Sequence, residues 1–238
     1  MTTVPLSRRE RARAATIAEI KQTALDLMRQ QATTDIRFAD IARVMGMTAP
    51  ALYRYYADRN ELLTDLITDA YACLGEAIVL AREQCDTADI AGRWVAVAAA
   101  YREWARVEPQ QFALILGLPV PGYSAPEEGP TTEAAKAAMG ELAALFVSAA
   151  TTGCLRPPLV REVSAAVTAC AHDKHPELDG VVPPASFQAM LHAWAALHGF
   201  TSLETHGHLD WLAPEARDEL FLSHVRMVAT AAGIPTSP

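Results

Sequence analysis

Apolar residues recur along this chain at intervals of three and four, and nowhere does the period-two alternation of a half-buried strand replace that pattern. Ile17, Ile20, Ala24, Leu27 and Met28 stripe a first helix, and Leu62, Leu63, Leu66, Ile67, Ala70 and Leu74 stripe a long one that starts near Asp58. Further helices are expected at about 88–106, 110–116, 132–150, 158–172, 184–206 and 214–232, with Pro- and Gly-rich breaks at 118–130, 153–158 and 175–183. The expected fold class is all-α.

Between the first two stripes the spacing tightens. Ile41, Ala42 and Met45 form a short apolar stripe, and Gly46 follows where a left-handed residue ends a helix at no steric cost. Thr48 is then placed to cap a second short helix through its hydroxyl, with Pro50 in the first turn, where a missing N–H does no harm. Leu52 and Tyr55 can pack back on the preceding helix, which leaves Ala49, Tyr53, Arg54 and Tyr56 outward. A helix-turn-helix with basic and aromatic residues on its free face suits the major groove, although a two-helix corner with Gly in the turn also occurs as plain architecture.

The residues Ile41-Ala42, Gly46, Ala51-Leu52-Tyr53-Arg54-Tyr55-Tyr56 and Glu61-Leu62-Leu63 resemble the DNA-binding domain of the tetracycline-repressor (TetR) family over roughly 17–71. The resemblance implies a homodimeric, all-helical transcription regulator that binds double-stranded operator DNA. Arg54, with Tyr55 or Ala49, would specify bases, while Thr48, Tyr53, Arg59 and Arg37 would hold phosphates beside Pro50. Two positions depart from the family pattern. Arg37 stands where a capping Thr or Ser is usual, so Thr34 or Asp35 is expected to cap that helix or the cap to be weak. Arg59 replaces the usual phosphate-binding Lys with a planar fork.

Charge supports the reading. The first 60 residues carry 10 Lys and Arg against 6 Asp and Glu, the remainder 10 against 22, within a net charge of −8. Positive charge gathered on one face can meet phosphates in an acidic protein. Arg8, Arg9, Arg11 and Arg13 are the densest cluster, either a solvated helix start or tail, or an arm lying along the DNA backbone or minor groove. Cys73, Cys85, Cys154 and Cys170 form no CxxC pair, no signal-like segment precedes them, and no uninterrupted apolar run reaches bilayer length, so a cytoplasmic protein with reduced thiols and no membrane partner is expected.

In the second part, Trp194, His198 and Gly199, followed by Ser202-Leu203-Glu204 and Gly207-His208, resemble the Trp-His-Gly type of C-terminal domain found in one branch of the family. Trp194 and His198 share a helix face, and Gly199 permits close helix approach. They form either a packing knot with His198 bonded to backbone or to Glu204, or the polar end of a ligand pocket. A metal reading of His192, His198, Glu204, His206 and His208 is disfavoured because His192 and His198, and likewise His198 and Glu204, are six apart rather than the i, i+4 of a helical zinc pair, and no cofactor is expected.

Trp94, Tyr101, Phe112, Phe146, Met190, Trp194 and His198 are the candidate ligand-binding residues, for a small, mainly apolar effector. The 118–130 loop, with Pro121, Gly122, Pro126 and Pro130, reads as surface rather than gate. Leu220, Phe221, His224, Val225 and Val228 stripe the last helix, which either docks on its own core or joins the preceding helix in an isologous homodimer interface. The expected domains are 1–60 for DNA and 61–238 for effector and dimerisation. The competing function is a ligand- or metal-binding helical protein with catalytic activity at a His198/Glu204 cluster.

Overall fold

The structure is a computed structural model and describes residues 7–125 and 128–236. Among the described residues there are ten α-helices and no strand: α1 Arg8–Gln31, α2 Phe38–Val44, α3 Ala49–Leu52, α4 Arg59–Glu83, α5 Ile90–Val107, α6 Pro109–Leu116, α7 Pro130–Thr151, α8 Ala165–Lys174, α9 Pro184–Thr205 and α10 Pro214–Ala232. They form two compact units, one of residues 1–72 and 108–135, the other of 73–107 and 136–238.

The first unit closes on a single apolar core. Ile20, Ala24 and Met28 of α1 meet Phe38, Ile41 and Ala42 of α2, Leu52 of α3 and Leu62, Leu63 and Leu66 of α4, and α6 adds Leu114. Caps fix the helix ends. Ser7 and Glu10 form a reciprocal capping box at the start of α1, so the Arg8–Arg13 cluster is helical. Gly46, at φ +63°, turns the chain between α2 and α3. Asp58 accepts from the Glu61 amide at 2.9 Å to open α4.

In the second unit α9 packs on α5, α8 and α10, and α10 also packs on α5. Trp94, almost wholly buried, donates from Nε1 to the Val225 carbonyl at 2.9 Å and so ties α5 to α10. The helix expected over 158–172 begins only at Ala165, after a Ser164 cap on the Val167 amide. The preceding strap instead spends its backbone on α10: the amides of Arg156 and Leu159 donate to the carbonyls of Gly233 and Ala231, each at 2.8 Å. Gly233 lies at φ +81°, and a Cβ there would run into the Arg156 carbonyl.

By length and composition α7 is apolar enough to cross a bilayer, with a mean hydropathy of 1.2. Its stripe Ala138, Leu142, Leu145, Phe146 and Ala149 is buried in protein and Glu141 pairs with Arg82, while only 22% of the apolar window as a whole is buried.

Candidate nucleic-acid interface and ligand cavity

The helix-turn-helix is built on a rigid floor. Leu52 is fully buried, and Tyr56 is 3% exposed with its hydroxyl donating to Asp65 at 3.0 Å. Tyr56 was expected outward; it points into the core because α3 ends after one turn and the chain tightens through Tyr53–Tyr55. Burial and the Asp65 carboxylate push the Tyr56 phenol well above its usual range, so it stays a neutral donor. Thr48 occupies the N-cap position of α3, but its hydroxyl makes no cap bond there, and neither does any side chain at the N-cap of α2, Arg37. Thr34 and Asp35 do not cap α2 either; Asp35 is turned toward Arg59.

The free face carries Arg37, Thr48, Pro50, Tyr53 and Arg54, all exposed, with Ala49 half-buried between them. The Tyr53 ring leans on Phe38 with centroids 5.3 Å apart, which fixes the direction of an otherwise exposed side chain. Tyr55 is less accessible. The Arg13 guanidinium covers its ring at 5.2 Å and donates to the Arg54 carbonyl at 2.9 Å, so one arginine of the N-terminal cluster braces the end of the recognition segment. Arg59 is bound to protein on three sides: Nε to the Ile36 carbonyl at 2.7 Å, one Nη to the Pro121 carbonyl at 3.0 Å and the other to Asp35 at 2.8 Å. Sequence reasoning missed both clamps, because their acceptors are mostly backbone carbonyls that no spacing rule reveals.

In the second unit, an apolar cavity of about 30 Å³ lies between Ile78 of α4, Val97, Ala98 and Tyr101 of α5, Met139 and Leu142 of α7 and Trp194 of α9. That is room for a water molecule or two. Of the expected ligand residues, Tyr101 and Trp194 line it, and His198 stands beside them: its ring stacks on Trp194 at 4.8 Å and its Nδ1 lies 2.9 Å from the Tyr101 hydroxyl. Trp194 also donates to the Met139 sulfur at 2.7 Å. Burial, with His206 nearby, lowers the His198 pKa and so favours the neutral imidazole. Trp94, Phe146 and Met190 are buried but do not line this cavity; Trp94 is bonded to the Val225 carbonyl instead. Phe112, also buried, belongs to the first unit.

His198 and Glu204 are not partners. Glu204 is buried against Arg102, with both bonds at 2.6 Å, so of the alternatives for His198 the Glu204 contact is not the one formed. Six residues place the two side chains on different sides of α9, which removes the cluster on which a catalytic alternative rested. His192, His206 and His208 are exposed, and among the described residues no three metal-binding side chains come together.

Of the two alternatives for the stripe of α10, docking on its own core is the one seen: Phe221, Val225 and Val228 are buried within this chain, and His224 lies 3.1 Å from the Ala196 carbonyl. The outer face left over consists of Leu191, Ala195, Gly199 and Leu203 on α9 at four-residue intervals, with Leu220 and Met227 on α10. A Cβ at Gly199 would meet nothing within 4 Å, so the close approach expected at this glycine is not made within the protomer.

A family model described as the tetracyclin repressor-like C-terminal domain matches residues 94–228. HTH-type transcriptional regulators of Mycobacterium tuberculosis (Rv1816) and Mycobacterium bovis (Mb1846) are 46% identical over 92 residues, an alignment spanning 37% of this chain and 38% of each relative. The crystal structure of a candidate regulatory protein, SCO4313, superposes with a TM-score of 0.70 and 32% identity, covering 93% of this chain and 98% of that one. A candidate tetR family transcription regulator from Shewanella sp. PV-4 shares the fold at a TM-score of 0.56 and 18% identity, over 89% of this chain and 96% of its own.

Proposed function

This chain belongs to the tetracycline repressor-like regulators of transcription, and on that premise we propose that it is a homodimeric repressor released from a near-palindromic operator by a small, mainly apolar ligand. Residues 1–60 read DNA, and 61–238 hold effector and dimer contacts. The observation that carries the proposal is the exposed Arg54 and Tyr53 face set on buried Leu52 and Tyr56. Arg54 reads base edges; Arg37, Thr48 and Tyr53 meet phosphates, with Ala49 and Pro50 allowing close approach; Tyr55 and Arg59 hold the reading surface in place. In a dimer, two such faces enter successive major grooves about 34–36 Å apart.

The cavity beside Tyr101, His198 and Trp194 is the effector site. At about 30 Å³ it is nearly collapsed, so a ligand must push its walls apart. One wall is Ile78 of α4, the helix whose first turns carry Leu62, Leu63 and Leu66 into the core under the DNA-reading face. A ligand that binds better to the widened cavity shifts the population away from the DNA-competent state by its differential affinity. The partner face is Leu191, Ala195, Gly199 and Leu203 with Leu220 and Met227.

Selection of bound duplexes from a random pool at physiological salt tests the reading, because non-specific phosphate binding is suppressed there. The expected result is enrichment of a two-fold symmetric sequence. A folded, dimeric protein that enriches nothing would overturn it.

A further inference from the structure

The unit that carries the helix-turn-helix holds a second concavity, formed by α4 together with elements far from the motif in sequence. Ile67 and Tyr71 of α4, Leu114 and Ile115 of α6, the 117–125 loop and Thr131 of α7 enclose about 460 Å³. The walls are apolar except for a few hydroxyls. Tyr71 donates to the Ile115 carbonyl at 3.1 Å, and the Tyr123 and Thr64 hydroxyls share a hydrogen bond of 3.1 Å. Thr131 differs: it is 4% exposed, and its Oγ1 is closed off from solvent and has no hydrogen-bond partner among the described residues, so a guest reaches it only by displacing the wall that covers it. A buried hydroxyl without a partner is unfavourable, and a guest offering one acceptor relieves it.

The loop that walls the groove is tied to the DNA-reading elements. Val120 and Tyr123 face the groove, while the Pro121 carbonyl between them accepts from Arg59, which also holds Ile36 and Asp35 just before α2. One side chain therefore joins the groove wall to the entry of the helix-turn-helix.

We propose that this groove is a second effector site, distinct from the cavity at Tyr101 and Trp194, and that it takes a mainly apolar molecule with one carbonyl whose oxygen accepts from the Thr131 hydroxyl. Its volume falls within the range of small-molecule sites. Seating the guest displaces the 117–125 loop, changes the hold of Arg59 on Asp35 and Ile36, and so alters operator affinity. This regulatory half rests on the DNA-binding reading above; the binding half does not.

The test titrates octan-2-one into the full-length protein with labelled Ile, Leu and Val methyl groups and follows their NMR shifts. Saturable shifts at Ile67, Leu114, Ile115 and Val120 are expected, with Thr131→Val weakening binding roughly three- to tenfold, the range set by one net hydrogen bond. Thr131→Ser, which keeps the hydroxyl, should bind octan-2-one about as tightly as the unaltered protein, so the result does not rest on one variant. Shifts confined to Ile78, Val97, Leu142 and Leu197, no shifts at all, or equal affinity of the unaltered protein and a folded Thr131→Val for the ketone would overturn the site. On the selected duplex, octan-2-one should change affinity several-fold in the unaltered protein, and Thr131→Val should need roughly three- to tenfold more ketone for half of that change. Groove binding with unchanged duplex affinity would refute the regulatory half, whereas groove binding by a protein that selects no duplex would refute the DNA-binding reading alone.

Discussion

The Arg102 guanidinium lies bidentate on the Glu204 carboxylate, with both bonds at 2.6 Å and both side chains less than a tenth exposed. Asp218 accepts from the same guanidinium at 2.8 Å, Arg217 lies 3.7 Å from Glu204, and Arg102 stacks over Phe221 at 4.6 Å. Because Arg102 is on α5, Glu204 on α9 and Asp218 on α10, one cation fixes the angles among three helices.

Breaking this pair should cost far more than replacing it. Glu204→Gln or Arg102→Met leaves a buried charge short of its partner and is expected to lower stability by about 3 kcal/mol. The double variant Arg102→Met/Glu204→Met removes both charges and should be less destabilised than the sum of the singles, as measured by urea unfolding. Additive losses, or single losses below about 1 kcal/mol, would show that the pair does not hold the helices.

Arg13 is expected to act on DNA binding without touching DNA. Its guanidinium is occupied by the Arg54 carbonyl and the Tyr55 ring, so Arg13→Ala should weaken specific binding by loosening the recognition segment. A phosphate contact would lower the slope of log affinity against log salt by about 1 when removed. Here the slope should stay unchanged while affinity falls. A reduced slope would return Arg13 to the backbone-binding arm.

Arg54→Ala should relax sequence preference, costing about 1–3 kcal/mol on the selected operator and little on scrambled DNA. Tyr53→Phe should weaken both about equally, since phosphates carry no sequence. Equal losses for both variants on both duplexes would contradict this division of roles.

Most of the fold was legible because helix stripes, Gly46 and Pro50 are local signals that the packing then honours. What was not legible involves partners distant in the chain. Tyr56 and Tyr53 are both tyrosines in one short segment, and only the early end of α3 turns one inward to Asp65 and leaves the other outside. Arg102 sits among Ala98, Tyr101 and Ala105 on an otherwise apolar face, and Glu204 interrupts the buried run of α9. Two opposite charges on apolar faces are a readable hint of a buried pair, yet the nearness of His198 in sequence drew attention away from it. A helix was expected from 158 onward, yet 158–164 continue the break that begins at 153, because the strap's amides bond to the end of α10 rather than to each other.

The environment of His198 sets a pH dependence with a definite sign. Burial lowers its pKa in the folded protein below the unfolded value of about 6.5, so the unfolded state binds the proton first. Its contribution is fully favourable above that value and is lost as pH falls through it toward the folded pKa. The melting temperature should therefore drop more steeply between pH 7 and 5 in the natural protein than in His198→Gln, which cannot titrate. Parallel curves would mean that His198 is no more sheltered when folded than when unfolded.

Gly199 gives the sharpest test of how two copies meet. It lies on the outer face of α9 between Ala195 and Leu203, with open space where a side chain would stand, so nothing in its own protomer requires a glycine. A glycine inside a helix costs roughly 0.5–1 kcal/mol relative to alanine, and its presence is explained if a partner backbone approaches there. Gly199→Leu should then fold with full helix content by circular dichroism yet sediment as a monomer and lose tight operator binding. The change should not lower the stability of the isolated subunit, because a Cβ there meets nothing within 4 Å and alanine-like carbons favour the helix over glycine. If Gly199→Leu instead remains a dimer of undiminished affinity, the α9 face is not the interface, and the exposed apolar residues on α10 become the surface to alter next.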